Sequence, residues 1–389
     1  MKELVSKIIT IKSNQGFNEN NLMCLPIFSI KRNRVGKIKR IWYRNNQEVE
    51  LTIVGGAEYG VPNIKDMDVL LALFKLMTKH IDNKIIYEDI NKPQNIPKVI
   101  NFTYRSLSKE MGLRGFGNKT KERLEKSIRT LTETTIYSNL SLRNQETGEY
   151  IIDFKGEESF RIIDKYKSYS ISKRKKMNQN LLSPKEIEEV QSVEIGDFFY
   201  NNIMNNYFKL YDYNKYMLLN SGIAKKLLLI LSTWSHGYEK YITLAKLYDY
   251  IGIEISNDKD VYYYNQKMKI ALNELVSIDF INSYEFYNNK GILFVFKSSV
   301  KKSILQKYTT YNEVIDRLLY FNIDVDDIYK YYNDDTHEYI SALLRYVDDR
   351  IKDNKIDNIK KFIYKGLPHN SYNVKKYLRN NWHIFDFME

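Results

Sequence analysis

The side chains best able to do chemistry are few and scattered along this chain. The five histidines, His80, His236, His337, His369 and His383, lie too far apart for any pair to have metal-ligand spacing. There is no His-x-His cluster, so a metal-dependent tyrosine nickase would lack its ligands. Neither HExxH nor GxSxG occurs. Cys24 is the only cysteine, which excludes an internal disulfide framework and a cysteine zinc site and suits a reducing compartment. One stretch, Gly112-Leu-Arg-Gly-Phe-Gly117-Asn118-Lys119-Thr120, approaches a phosphate-binding loop. That loop needs lysine directly after its second glycine, and here Asn118 intervenes. It also follows a helical segment where the motif requires a strand. The reading that remains is the turn of a helix-turn-helix, with Asn118 capping the next helix and Lys119 and Lys121 near phosphates. No catalytic residue, metal or cofactor is expected.

The other chemistry within reach is recognition of a polyanion. Lys119, Glu122, Arg123, Lys126 and Arg129 share one face of a segment at helical spacing. Lys259, Tyr263, Gln266, Lys267, Lys269 and Ile270 line another. Lysine and arginine neutralise phosphates, glutamine pairs with adenine, and an aliphatic side chain meets the thymine methyl. The same faces would equally serve as ordinary solvated helix surface.

The elements that must position these residues follow from periodicity. Leu25–Lys31, 38–44 and 49–54 have strand character. Asp66 is placed to cap a helix Met67–His80 with Leu70, Leu71, Phe74 and Met77 inward. A short helix Ser106–Met111 follows, with Ser106 as cap. After the glycine turn comes a helix Lys119–Glu133 with Leu124, Ile128 and Leu131 inward. Thr134–Leu142, a polar turn from Arg143 to Gly148, and Tyr150–Phe154 read as a hairpin. The second half repeats this order: a helix Ser221–Trp234, a short helix Thr243–Tyr250, a turn at Gly252, a helix Asp260–Ser277, then a hairpin of Asp279–Phe286 and Ile292–Phe296. Helix, short helix, turn, longer helix and hairpin is the order of a winged helix. The expected fold is α+β, with tandem winged-helix domains and a helical C-terminal region. The expected wings present Arg143 and Asn144 in the first half, and Asn288, Asn289 and Lys290 in the second.

Ser168–Pro184 is polar, basic and aperiodic, and reads as a linker. Its run Lys173, Arg174, Lys175 and Lys176 either tracks phosphates or is solvated. The expected domains are 1–170, 185–305 and 311–389. Net charge is +12 over 389 residues. Residues from Tyr311 onward carry 12 basic and 14 acidic side chains, a balance of −2, so the remainder carries +14. Lys31, Arg32, Arg34, Lys37, Lys39, Arg40 and Arg44 form a second basic cluster. The 33 tyrosines and the abundance of Asn, Lys and Ile fit an A/T-rich coding sequence. No apolar run reaches the length of a membrane span, and no export signal is read at the N-terminus. These features point to a soluble, cytoplasmic protein.

Leu25-Pro-Ile-Phe28, Gly55-Gly-Ala-Glu-Tyr-Gly-Val-Pro62 and Asp66-Met-Asp68-Val-Leu-Leu-Ala-Leu73 together resemble the plasmid replication initiator protein A type, which carries a Tyr-Gly-Leu/Val-Pro and Asp-x-Asp signature. The tandem winged helices resemble the wider class of iteron-binding initiators. A loose match extends to Asp348–Arg350 and Ile356–Phe362, where the proline of the class pattern after Asn358 is missing. The resemblance implies a protein that binds repeats in double-stranded origin DNA and recruits host helicase or initiator proteins. It further implies self-association as a dimer and repression of its own promoter. It implies that the second winged helix dominates recognition, and that the first contributes DNA contacts and a dimer surface. The competing classes are a winged-helix transcription regulator of a mobile element, an enzyme acting on nucleotides or nucleic acid, and an interaction protein whose winged helices bind only protein.

Overall fold

The computed structural model describes residues 7–31, 33–44, 46–89, 92–172, 187–234, 239–287, 290–296, 311–332, 336–352, 356 and 358–367. The chain forms two compact units. One comprises Met1–Ser235 with Thr243–Phe280, and the other His236–Ile242 with Ile281–Glu389.

The first unit opens with β1 (Lys7–Thr10), β2 (Gln15–Glu19) and the short α1 (Asn20–Cys24). It continues through β3 (Lys37–Arg44), β4 (Gln47–Val54), α2 (Ile64–His80), β5 (Lys84–Asp89), β6 (Lys92–Pro93) and β7 (Val99–Phe102). Then come α3 (Tyr104–Glu110), α4 (Asn118–Glu133), β8 (Thr135–Asn139), β9 (Phe160–Arg161), β10 (Ile163–Ser172) and β11 (Ile187–Ile195). The chain proceeds through α5 (Asp197–Met204), β12 (Phe208–Asp212), α6 (Tyr213–Leu218) and α7 (Gly222–Thr233). The short β13 (Glu239–Thr243) precedes α8 (Leu244–Ile251) and α9 (Asp258–Ser277).

Helix α2 is the spine of this unit. It is buried on nearly every side, from Met67 through Thr78, so its sequence is apolar almost all round. Its start differs from the expectation. Asn63 is the cap and Asp66 the third helical residue, the two forming a capping box in which Asp66 accepts from the Asn63 amide at 2.8 Å. The same shift recurs at α3, where Thr103 caps and Ser106 completes the box. At α4 the cap is Gly117 and Asn118 is already helical. Leu25–Lys31 is not a strand. It is a turn in which Ser29 bridges to Asn63.

The largest correction concerns the first wing. Thr135–Asn139 does not pair with Tyr150–Phe154 as a regular hairpin. It adds to β4 to build a sheet in the order β3-β4-β8-β9. The actual ribbon is β10–β11, in register from Ile163↔Ile195 to Ser172↔Ile187, with β7 paired to its β11 edge. The expected linker therefore begins as a strand, since Ser168–Ser172 belong to β10. Lys173–Lys176 fall between the paired ends Ser172 and Ile187 and lie outside the described residues. The ribbon escaped the sequence pattern because, among the described residues, the buried face of β11 is only Gln191, Val193 and Ile195, and on β10 Lys165, Lys167, Ser168 and Tyr169 are all exposed. A strand without a buried face shows no apolar alternation.

The second unit holds a sheet in the order β13-β15-β14, with β14 (Ser283–Tyr287) and β15 (Gly291–Val295) forming a hairpin. It also contains α10 (Tyr311–Tyr320), α11 (Val325–Tyr331), α12 (His337–Lys352) and α13 (Ile359–Gly366). Their core gathers Val314, Leu318, Ile340, Leu343, Leu344, Val347 and Ile363.

The two halves now match element by element. The first runs α2, β7, α3, α4, β10, β11 with sheet order β10-β11-β7. The second runs α7, β13, α8, α9, β14, β15 with sheet order β14-β15-β13. Both are the element order of a winged helix, as expected. In the first half, β5 and β6 are inserted between α2 and β7, and β8 and β9 before the ribbon.

Candidate nucleic-acid interface

The first helix-turn-helix is set by glycine chemistry. Gly112 and Gly115 take positive φ of 65° and 78°, which lets the chain reverse between α3 and α4. Leu124, Ile128 and Leu131 of α4 are wholly buried and face α2. That leaves Lys119, Glu122, Arg123, Lys126 and Arg129 outward, as the spacing predicts. Arg129 is held by Glu125 one turn back at 2.8 Å. Lys121 is only half-exposed and pairs with Glu189 on β11, so it braces the wing against α4. That carboxylate raises the Lys121 pKa above its ordinary value. Sequence reasoning missed two arginines beside the turn. Arg105 lies over the Phe116 ring at 5.4 Å, and Arg114 is exposed between the two positive-φ glycines.

Arg143 is not on a wing. Its carbonyl accepts from Asn21 at 2.9 Å and from Asn202 at 3.0 Å, and its guanidinium lies over Tyr207 at 5.9 Å. Asn144 sits beside it, half-buried. The residues bridged by Arg143 come from α1 and α5, elements that no local pattern links to it.

The second helix-turn-helix begins with the Thr243 cap of α8 and turns at Gly252, a left-handed C-cap with φ 82°. Asn257 caps α9. Met268, Ala271, Leu272 and Leu275 are buried, and Asn265 on the same face accepts from the Tyr248 hydroxyl at 2.6 Å. Val261, earlier on the same face, is half-buried. Burial pushes the Tyr248 phenol up to about 12, so it remains a donor at neutral pH. The outward face carries Lys259, Tyr262, Tyr263, Gln266, Lys267, Lys269 and Ile270. Tyr262 was not singled out from sequence, yet it is 70% exposed. Its spacing, three after Lys259 and four before Gln266, was the available signal. Lys267 lies over the Tyr263 ring at 5.4 Å, which directs its ammonium along the face. In the second unit, Lys290 is exposed in the hairpin turn, where its amide donates to the Tyr287 carbonyl. Asn288 and Asn289 lie outside the described residues.

Four residues of the N-terminal basic cluster have internal partners, while Lys31 and Lys37 are exposed. Arg34 binds Asp66 at 2.9 Å, Lys39 binds Glu50 at 2.8 Å, and Arg44 donates to the Leu140 carbonyl at 3.0 Å. Arg40 reaches Glu254 at 3.5 Å. Arg32 lies outside the described residues.

Buried polar contacts within the first unit hold the two helix-turn-helix segments together. Asp68 of α2 accepts from the Tyr216 hydroxyl and from Lys225 of α7, both at 2.8 Å. Lys226, with no exposed surface, donates to the carbonyls of Met23 at 3.1 Å and Leu25 at 2.6 Å at the end of α1. Burial lowers its pKa to about 7. Glu19, equally buried, accepts from Asn21, Asn202 and the Leu22 amide. Burial raises its pKa to about 8, against those hydrogen bonds. Strand β12 pairs with β2 from Phe208↔Glu19 to Asp212↔Gln15.

Among the described residues no group of three or more His, Cys, Asp or Glu side chains is placed to hold a metal ion, and no helix is long and apolar enough to cross a membrane. Two helix-turn-helix segments with outward cationic and amide faces are the architecture of a DNA-binding protein. The family model described as "Replication initiator protein A" matches residues 18–254. The chain belongs to that family and is a replication initiator. A comparison with curated proteins returned no match. Among solved structures, domains 2 and 3 of RctB align with a TM-score of 0.46 at 12% identity, over 72% of this chain and 99% of that one. The Pi initiator protein in complex with iteron DNA aligns with a TM-score of 0.39 at 12% identity, over 74% of this chain and 98% of that one.

Proposed function

We propose that this initiator binds direct repeats in the double-stranded origin DNA of its own plasmid through α4 and α9. The observation that carries the proposal is the pair of outward faces in one unit, Lys119/Arg123/Lys126 and Lys259/Gln266/Lys267. Each stands on the longer helix of a helix-turn-helix, the helix that enters the major groove in such modules. Gln266 reads adenine and Ile270 a thymine methyl. Lys119, Lys126, Lys259, Lys269 and Lys290 meet phosphates. Lys173, Arg174, Lys175 and Lys176, in the connection between β10 and β11, add a wing contact. Lys121 contributes through its ion pair with Glu189 rather than as a free cation.

The near-neutral C-terminal region is assigned to protein contacts, with host helicase or initiator as partner. Self-association as a dimer serves repression of the protein's own promoter in the cytoplasm. Gel shifts with the flanking DNA of the gene test the central claim. Tight binding to its direct repeats over random duplex, with a footprint of about two helical turns per repeat, is the expected result. Equal affinity for both DNAs would refute it.

A further inference from the structure

Arg40 places a cation on the inward face of β3, beside Ile38 and Trp42. β3 is the edge of its sheet, and Arg40 is in register with the wholly buried Leu51 on β4. An apolar side chain would be expected on that face. The Arg40 side chain is only 10% exposed. Its Nε is buried without a hydrogen-bond partner, and its ion pair with Glu254 spans 3.5 Å to a carboxylate that is itself 63% exposed. Burying a cation for so loose a pair is costly, and a hydrophobic residue of similar volume would serve stability as well or better.

Where the guanidinium lies supplies the reason for a cation of this shape. It packs against Gly252, where a Cβ would come within 2.7 Å of both Cζ and Nη2. Gly252 is the left-handed cap that ends α8. The segment from Gly252 to Glu254 leads directly into α9. Arg40 thus reaches from the sheet of the first half into the turn of the second helix-turn-helix, seated where the left-handed Gly252 presents no Cβ. The groups around it agree. Burial lowers its pKa, opposed by Glu254 and by Tyr264 of α9, and Arg40 in turn lowers the pKa of Lys226 on α7.

We propose that Arg40 is a positioning residue for the second recognition helix, its planar guanidinium seated against Gly252 so that α9 is held at a fixed distance from α4. The proposal goes beyond DNA recognition to how two reading heads are kept in step. It rests on the DNA-binding reading only for its binding measurement.

The test uses the full chain in a Cys24→Ser background, with spin labels at Lys126→Cys on α4 and Lys267→Cys on α9. Pulsed electron spin resonance of the free protein is expected to give one narrow distance distribution. Arg40→Met, which keeps the apolar stem and removes the cation, broadens it. Arg40→Lys, which keeps the charge and loses the planar fork, gives an intermediate width. Far-UV circular dichroism and the melting transition stay as in the parent. An Arg40→Met distribution as narrow as the parent's overturns the proposal. Should Arg40→Met lose its cooperative melt, Arg40→Lys decides alone, broadened for and unchanged against.

In unlabelled protein, Arg40→Met is expected to lose about tenfold in preference for the repeat over random duplex. Loss of affinity by the same factor on both DNAs overturns the proposal. A parent with no preference for the repeat refutes the DNA reading and leaves the distance result to stand by itself.

Discussion

At the scale of single residues, two kinds of charge must be kept apart. Gln266 and Lys126 stand outward. Gln266→Ala is expected to weaken repeat binding about tenfold while barely changing random-duplex binding. Lys126→Ala is expected to weaken both alike and to reduce the salt slope by about one. Titrations of both variants at several salt concentrations check this. Glu19 and Lys226 stand inward, and their effect is on stability. The folded protein raises Glu19 from 4.5 to about 8, so it holds a proton that the unfolded chain releases, and stability falls as pH rises through that window. It lowers Lys226 from 10.5 to about 7, so stability rises with pH between those values. Glu19→Gln should abolish the decline on the acid side of pH 7, and urea midpoints measured from pH 5 to pH 9 would show it. An unchanged pH profile in the variant would contradict the assignment.

Elements turn the family signature into physics. The Tyr59-Gly-Val-Pro62 loop lies against the segment before β3. Val61 donates to Val35 and Gly55 to Gly36, both at 2.8 Å. Gly55 packs on the backbone of Gly60, where an added Cβ would sit 2.0 Å from the Gly60 carbonyl carbon. Gly55→Ala is therefore expected to destabilise by about 3 kcal/mol or more, the range of severe packing and strain defects, read as a drop in urea midpoint. The Asp-x-Asp pair divides its labour. Asp66 completes the capping box and binds Arg34, and Asp68 ties α2 to α6 and α7. The wing makes a separate prediction. Replacing Lys173, Arg174, Lys175 and Lys176 by alanine should flatten the salt dependence of DNA binding by up to four phosphate contacts. A slope equal to that of the parent would show that the run meets no phosphate.

For the whole molecule, function depends on where the units divide. Both α4 and α9 belong to the first unit, joined by buried polar bonds and by the β2–β12 pairing rather than by a loose tether. If both read DNA as proposed, the initiator presents its two readers together. The second unit combines the β14–β15 hairpin with a helical bundle around an apolar core, the part proposed above for contacts with partner proteins.

The sequence alone determined the long helices and the faces of α4 and α9, but not α1, α5 or α6. Periods of three and four residues in α4, α7 and α9 place Leu124, Leu227 and Leu272 inside and leave Arg123 and Gln266 outside, because burial of apolar surface fixes how an amphipathic helix sits. It also pointed to a polyanionic ligand, since the net positive charge lies in the first 310 residues. Tertiary structure decided what periodicity cannot encode. The wing is β10–β11 because a ribbon whose β10 strand is largely exposed is specified by its hydrogen-bonding partner more than by an apolar pattern. Arg143, Lys121 and the cluster from Arg34 to Arg44 are largely committed to internal partners. Whether a cation faces a phosphate or a carbonyl depends on residues brought near it from distant parts of the chain, such as Asn202 for Arg143 and Gly252 for Arg40.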